Sequence, residues 1–151
     1  MSGSIGRRLD DEPDEASALP APRSRRAGVV LVADDSRDTR ELYVLHLNYC
    51  GFTAYTAFDG ISAIDMAVTL RPDVIVMDLS MPGVDGIDAI RHLKSNPRTR
   101  KIPVILLTGY PARAIERGAM EAGASIFLTK PCLPEDLEQQ VRRLLDDQRS
   151  R

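Results

Sequence analysis

The feature that most constrains the fold of this chain is a regular alternation of short apolar runs with longer stretches of helical periodicity. Five runs have the length and composition of strands, and they cover residues 29–33, 53–57, 74–77, 104–107 and 126–128. The first opens with four apolar residues in a row, which is typical of a strand buried on both faces. Alternating strands and helices predict an open parallel sheet with helices on both of its faces.

Apolar residues between these runs recur at helical spacing. The positions that predict the first, second, third and fifth helices are, in order, Leu42, Leu45 and Tyr49; Ile61, Ile64 and Val68; Ile87, Ile90 and Leu93; and Leu137, Val141, Leu144 and Leu145. Gly51 is expected to end the first helix, and Pro134 to begin the last. A less periodic stretch, residues 111–122, predicts a fourth helix that ends at Gly123.

Residues 1–27 differ from the rest of the chain, because they are rich in Ser, Pro, Ala and charge and contain few large apolar residues. Such a segment buries too little apolar surface to offset its ordering entropy. We therefore predict a disordered tail over residues 1–27 and one domain over residues 28–151.

Composition restricts the partners that can be expected. The formal net charge of −2 predicts no general attraction to nucleic acid or to an anionic membrane. No apolar run reaches the length of about 18 residues that spans a bilayer, and the first residues lack the apolar segment of a secretory signal. A cytoplasmic location is expected, in which Cys50 and Cys132 would be free thiols.

Polar residues stand at the ends of four predicted strands. Asp34 and Asp35 follow the first strand, Asp78 the third, Thr108 the fourth and Lys130 the fifth. Each has an ordinary structural explanation: Asp35 and Thr108 could cap helices, Asp78 could begin a turn, and Lys130 could be a solvated side chain. Because parallel strands carry their carboxyl ends to one edge, where ligands bind in such sheets, we expect all five to lie together.

Three carboxylates at one edge predict a site for a hard divalent cation such as Mg²⁺, which would offset the repulsion between the acids. A carboxylate beside such an ion can attack phosphorus and form an aspartyl phosphate. A lysine would neutralise charge on the transferring phosphoryl group, and a threonine hydroxyl could hydrogen-bond to it. The sequence therefore predicts phosphoryl chemistry at this edge.

Four segments carry a family resemblance. "LVADDS", "VIVMDLSMPGVDG", "VILLTG" and "FLTKP" resemble the motifs of the response-regulator receiver domain of two-component signalling, in the same order and spacing, from about residue 28 onward. The resemblance implies a flavodoxin-like, doubly wound (βα)5 fold with strand order 2-1-3-4-5. It also implies a single-domain regulator of the chemotaxis or relay type.

The resemblance assigns an acceptor and a metal site. It implies that Asp78 is the phosphoacceptor and that Asp34 and Asp35 are the acid pair. Asp35 would touch Mg²⁺ (or Mn²⁺) directly, Asp34 would act through water, and the backbone carbonyl of Ser80 would complete the protein ligands.

The resemblance also assigns a phosphoryl-binding group and a switch. It implies that Lys130 and Thr108 bind the phosphoryl group, and that Thr108 and Phe127 form the switch pair. The bond between Lys130 and Pro131 is similar to one that is usually cis in this family, a form that costs little only before proline.

The same resemblance predicts the partners. The phosphoryl donor would be a histidine kinase or a histidine phosphotransfer protein. An unknown downstream protein would bind the face formed by the fourth helix, fifth strand and fifth helix. Since only the fifth helix is predicted after Lys130, output is expected through a partner or a relay, and the domain would be no enzyme, although it would assist its own phosphorylation and dephosphorylation.

Other classes of protein with related chemistry or fold would need different residues. An aspartate-nucleophile phosphatase would carry a second acid two residues after Asp78, where Ser80 stands instead. A flavodoxin would need a Ser/Thr/Gly-rich loop in place of "DDSRDTR", and a P-loop hydrolase would need GxxxxGK[ST], which is absent from the sequence. A degenerate receiver that serves only as a protein-binding module stays open as the second hypothesis, although such a domain would lack Asp35, Asp78 or Lys130.

Overall fold

The computed structural model describes residues 28–150. The predicted disordered tail, residues 1–27, lies outside the described residues. Within the described range strands and helices alternate strictly, in the order β1 (Val29–Ala33), α1 (Arg37–Tyr49), β2 (Thr53–Ala57), α2 (Gly60–Leu70), β3 (Val74–Asp78), α3 (Gly86–Ser95), β4 (Val104–Thr108), α4 (Arg113–Ala122), β5 (Ile126–Thr129) and α5 (Pro134–Arg149). No helix in this range is long and apolar enough to cross a lipid bilayer.

The five strands form one sheet in the order β2-β1-β3-β4-β5, and every pair is parallel. This confirms the predicted order 2-1-3-4-5. In the register of the sheet, Asp78 pairs with Leu107 and Thr108 pairs with Thr129. The carboxyl ends of the strands therefore lie side by side at one edge, as the sequence predicts.

The core consists of two layers, one on each face of the sheet. Leu31 and Ile75 belong to one apolar cluster, whereas Val30 and Val74 belong to the other, and all four side chains are fully buried. Burying one such side chain contributes about 1.5–3 kcal/mol relative to leaving it in water. Burial on both faces explains why β1 and β3 carry runs of at least four consecutive apolar residues rather than alternating ones.

The first helix buries a different face from the one that its sequence pattern suggests. Leu42, Leu45 and Tyr49 predict the helix correctly, but all three are exposed, Leu45 at 71% and Tyr49 at 74%. The residues that contact the core are Tyr43 and Leu47. Both sets have helical spacing, because α1 carries apolar residues on two sides, and spacing alone does not say which side faces the sheet.

In α2 the core positions are held by small residues. Ala63 and Ala67 are fully buried, while Ile61 from the predicted apolar set is exposed. The remaining predictions agree with the structure: Ile90 in α3 and Val141 in α5 are buried in the core.

Candidate functional site

The acid pair follows β1, where the chain turns into α1. Asp34 is 2% exposed, while Asp35 lies at the surface. The backbone N–H of Ser36 donates a 2.8 Å hydrogen bond to Oδ1 of Asp34, and the Ser36 hydroxyl accepts one from Thr39 N–H at 3.4 Å. Ser36, and not Asp35, is therefore the N-cap of α1. The ordinary role considered for Asp35 is thus taken by its neighbour, and Asp35 keeps its carboxylate in solvent.

The third carboxylate, Asp78, is the last residue of β3 and is 5% exposed. Asp34, Asp35 and Asp78 each place one oxygen such that all three oxygens lie within 4.8 Å of one another. Oxygen ligands of this kind suit hard cations such as Mg²⁺ rather than the softer metals. The donor set therefore fits the ion that the sequence predicts for this edge.

Lys130 provides a positive charge between the acids. Its Nζ lies 3.0 Å from Oδ2 of Asp34 and 3.0 Å from Oδ1 of Asp78. The side chain is partly buried and paired with both acids, rather than a fully solvated lysine at the end of a strand. The protein itself therefore offsets part of the repulsion among the three acids.

Burial and charge act on the acidity of this group. Burial raises the pKa of Asp78 to about 6, with a further rise from the nearby charge of Asp34, while the hydrogen bond from Lys130 opposes both. Burial lowers the pKa of Lys130, but its bonds to Asp34 and Asp78 outweigh that effect, so its pKa is raised. Asp78 is thus ionised at neutral pH and Lys130 is protonated.

Thr108 ends β4 beside the acids. It is buried, its hydroxyl oxygen accepts a 2.9 Å hydrogen bond from the N–H of Tyr110, and its carbonyl accepts one from the N–H of Lys130 at 2.8 Å. The hydroxyl of Thr108 thus closes a local turn with Tyr110. The N-cap of α4 is a different residue, Ala112. The role as a helix cap considered above is therefore wrong.

Phe127 lies on β5 and is partly buried against the core layer that contains Leu106. The register pairs Phe127 with Leu106, and Thr108 stands two residues further along the same strand. Residues paired across a parallel sheet point to the same face, as do residues two apart on one strand. Phe127 and Thr108 therefore lie on the same face of the sheet. Thr108 is two residues beyond Leu106, the residue of β4 that pairs with Phe127.

The loop after Asp78 is held by close backbone contact. A side chain on Gly86 would collide with the carbonyl oxygen of Asp78, and the N–H of Gly86 donates to the carbonyl of Leu79 at 2.9 Å. Glycine at this position lets the start of α3 approach the strand end. Ser80 lies exposed in the loop that this contact closes.

The turn after β5 is tied to α1. The Lys130–Pro131 peptide bond is cis. One residue later, the carbonyl of Cys132 accepts a 2.7 Å hydrogen bond from the hydroxyl of Tyr43. Burial raises the pKa of Tyr43 to about 12, so the hydroxyl stays a donor.

Sequence reasoning missed three residues that support the site. Tyr43 anchors the turn beyond Lys130, Ser36 bonds to the carboxylate of Asp34, and Arg40 donates from Nη1 to the Asp34 carbonyl at 2.9 Å. A cap signal pointed to Ser36, since serine before a helical pattern favours capping. Tyr43 and Arg40 carried no such signal, because their contacts depend on which face of α1 meets the sheet.

The sheet, the acid-lined edge and the bridging lysine define a signalling module of the receiver class. The family described as the response regulator receiver domain matches residues 30–142, and the chain belongs to that family. Receiver domains are signalling domains and generally not enzymes.

Relatives and solved structures agree with this membership. The chain is 41% identical to the response regulator PleD of Caulobacter vibrioides over 115 residues. The aligned region covers 76% of this chain and 25% of that protein. It is 35% identical over 116 residues to MprA of Mycobacterium avium, covering 77% of this chain and 50% of the relative. The chain thus spans half or less of the length of these curated relatives.

Among solved structures, the receiver domain of the Francisella response regulator 1452 superposes with a TM-score of 0.75 at 30% identity, covering 80% of this chain and 98% of that one. The chemotaxis protein CheY4 of Vibrio cholerae gives a TM-score of 0.73 at 29% identity, covering 77% and 97%. The whole described fold therefore has experimental counterparts.

Proposed function

We propose that this chain is a response-regulator receiver whose Asp78 accepts a phosphoryl group from a phosphohistidine of a histidine kinase or a histidine phosphotransfer protein. The observation that carries the proposal is the position of Lys130, whose Nζ lies 3.0 Å from the carboxylates of both Asp34 and Asp78. A degenerate binding module would lack Asp35, Asp78 or Lys130, and all three are present in this chain.

In this reaction an oxygen of Asp78 attacks phosphorus, the P–N bond of the phosphohistidine breaks, and an O–P bond forms. The departing histidine nitrogen keeps the electron pair and is protonated. Asp78 must be ionised to attack, and a pKa of about 6 meets this condition at neutral pH. Lys130 is placed to neutralise the oxygens of the transferred group, and the Thr108 hydroxyl to donate to it once it is attached.

The three carboxylates are the proposed protein ligands of Mg²⁺ (or Mn²⁺), together with the backbone carbonyl of Ser80. When bound, the ion would supply positive charge that stabilises the transferring phosphoryl group. Both oxygens of Asp34 already accept hydrogen bonds, from Ser36 N–H at 2.8 Å and from Lys130 at 3.0 Å. Asp35 is exposed, and these contacts support the proposal that Asp35 binds the ion directly while Asp34 acts through water.

We further propose that residues 28–151 form the receiver and that the protein acts in the cytoplasm. Output would pass through a downstream protein bound to α4, β5 and α5, or through a phosphorelay. Met120 on α4 and Tyr110 just before it are exposed and would be accessible to such a partner.

Incubation with a small phosphodonor such as acetyl phosphate and Mg²⁺ tests the assignment. Intact-mass measurement should show one added phosphoryl group on the wild-type protein and none on Asp78→Asn. Asp65→Asn, which changes an exposed carboxylate on α2, is the matched control and should react normally. Phosphorylation that persists in Asp78→Asn, or that fails in the wild type with both a phosphodonor and a panel of kinases, would contradict the proposal.

A further inference from the structure

A second cluster of potential metal ligands lies where α1 faces α5. Nε2 of His46 lies 3.4 Å from Oε1 of Glu138 and 3.4 Å from Sγ of Cys50. One ligand atom from each of the three residues lies within 4.8 Å of the other two. None of these residues belongs to the acid-lined edge, and phosphoryl transfer makes no use of them.

Two of the three distances between these atoms match those of a tetrahedral zinc site, and the third lies within 4.8 Å. Zn–S bonds of about 2.3 Å and Zn–N and Zn–O bonds of about 2.0–2.2 Å, at tetrahedral angles, place neighbouring ligand atoms roughly 3.3–3.6 Å apart. The two distances of 3.4 Å fall within this range. His46 lies in the last turn of α1 and Cys50 is the C-cap residue four positions later, so the two side chains already lie together without rearrangement of the backbone.

Arg142 orients the third ligand. Its Nε donates to Oε2 of Glu138 at 2.6 Å and its Nη2 to the carbonyl of Cys50 at 3.0 Å. The carboxylate is thereby held with Oε1 toward His46, as outer-sphere partners hold ligands in metal sites. The arginine charge opposes a dication, and the anionic thiolate and carboxylate offset it.

The cluster is partly open to solvent, with His46 and Glu138 side chains 24% and 19% exposed. An ion can therefore enter, and water can take a fourth position. A thiolate and an imidazole favour zinc over magnesium, whereas the all-oxygen set at the strand ends has the opposite preference.

We propose that His46, Cys50 and Glu138 form a Zn²⁺ site that joins α1 to α5. On binding, Cys50 releases its thiol proton to solvent and becomes the thiolate ligand. A metal held by two helices stabilises the folded state, since the unfolded chain does not bring the three ligands together. The site does not depend on phosphorylation of Asp78.

The test is a titration of the chelator-treated full chain with Co²⁺, in excess Mg²⁺ so that the acid-lined edge is occupied. Wild-type protein should develop a thiolate-to-cobalt charge-transfer band with a stoichiometry of one, and Zn²⁺ should displace it. Cys50→Ser should lose the band, while the matched control Cys132→Ser should keep it.

Two further variants keep the result independent of any folding defect in Cys50→Ser. His46→Gln and Glu138→Gln should each weaken Zn²⁺ binding by at least about tenfold, since even outer-sphere changes cost about 10–100-fold. Zn²⁺ should raise the Tm of wild type and Cys132→Ser more than that of these variants. Absence of the band in wild type, or a band that depends on Cys132, would overturn the proposal and leave the cluster as a hydrogen-bonded chain.

Discussion

The Nζ atom of Lys130 lies 3.0 Å from Oδ1 of Asp78, the carboxylate that ends β3. The same atom lies 3.0 Å from Oδ2 of Asp34, so one ammonium group serves two buried acids. This arrangement couples two roles of the lysine, because it balances the acids before phosphorylation and is placed to bind the phosphoryl oxygens afterwards. Thr108 has no contact of that kind with the acids and closes a turn with Tyr110 instead.

We therefore expect substitutions of Lys130 and Thr108 to have different effects. Lys130→Ala should slow phosphoryl uptake from acetyl phosphate by roughly a hundredfold, the scale on which one positioned charge acts. Thr108→Ala should take up the phosphoryl group nearly as fast as wild type, yet bind a downstream partner weakly, since its hydroxyl acts after transfer. Uptake is measured by rapid quench and intact mass.

Exposed residues of the same types provide the controls. Lys101 and Thr56 are both at the surface, and Lys101→Ala and Thr56→Ala should behave as wild type in both assays. Equal loss of uptake in the Lys130 and Thr108 variants would contradict this separation of roles.

The pKa of Asp78 predicts a pH-dependent stability in metal-free protein. Its folded-state pKa of about 6 exceeds the unfolded value of about 3.9, so the native state binds more protons between these values. The free energy of unfolding should therefore fall as pH rises through about 6. Asp78→Asn lacks this titration and should be more stable than wild type by about 1–3 kcal/mol near pH 8, since one pKa unit corresponds to about 1.4 kcal/mol.

Urea denaturation in the presence of a chelator, at several pH values, measures this difference. It should shrink as pH falls from about 6 toward about 4 and vanish below about pH 3, where Asp78 is protonated in both states. The exposed variant Asp65→Asn should follow the wild-type curve. Parallel curves for wild type and Asp78→Asn across this interval would show that burial does not control the acidity of Asp78.

A third prediction concerns the switch. A phosphoryl group on Asp78 would draw the Thr108 hydroxyl toward it, and Phe127, on the same face of the sheet, is placed to fill the vacated space. Beryllofluoride with Mg²⁺ should therefore change amide hydrogen exchange over residues 108–123 and around Phe127. Coupling of this kind is typically worth about 1–3 kcal/mol, or about 5–150-fold in partner affinity.

Asp78→Asn is the control, because it lacks the carboxylate that beryllofluoride needs. The opposing interpretation is that Phe127 is a core aromatic and no more. Changes confined to the loops after Asp35 and Asp78 would favour that interpretation.

A fourth prediction concerns residues 1–27, which are poor in large apolar residues. A chain that lacks them should keep its free energy of unfolding within about 0.5 kcal/mol, as is usual for changes away from the core. It should also accept the phosphoryl group at the wild-type rate. A marked fall in Tm, or loss of uptake, would show that this segment packs on the domain.

The fold was accessible from the sequence because β1, β3 and β4 are buried on both faces, and such strands are apolar along almost their whole length. The sequence pattern leaves the core face of α1 undetermined, because Leu45 and Tyr49 satisfy the same periodicity as Tyr43 and Leu47. Helical spacing states that a helix forms, but the side that faces the sheet depends on packing against strands distant in sequence.

The site likewise contains residues whose proximity the sequence predicts and residues whose contacts depend on packing between distant segments. Strand-end residues such as Asp78 and Lys130 are brought together by topology alone, so their proximity followed from strand order. The hydrogen bond from Tyr43 to the Cys132 carbonyl joins residues 89 positions apart, and local chemistry does not anticipate such contacts.

The cap of α1 has a consequence for spectroscopy. The amide of Ser36 donates to one oxygen of Asp34, while Lys130 binds the other. Any ligand that draws Lys130 away, or polarises that carboxylate, must alter the strength of the Ser36 hydrogen bond. We expect the ¹⁵N–¹H resonance of this single amide to shift as Mg²⁺ is titrated and again as a phosphoryl group is attached. Occupancy of the site could then be followed in real time in ¹⁵N-labelled wild-type protein, with unlabelled partners and without any substitution.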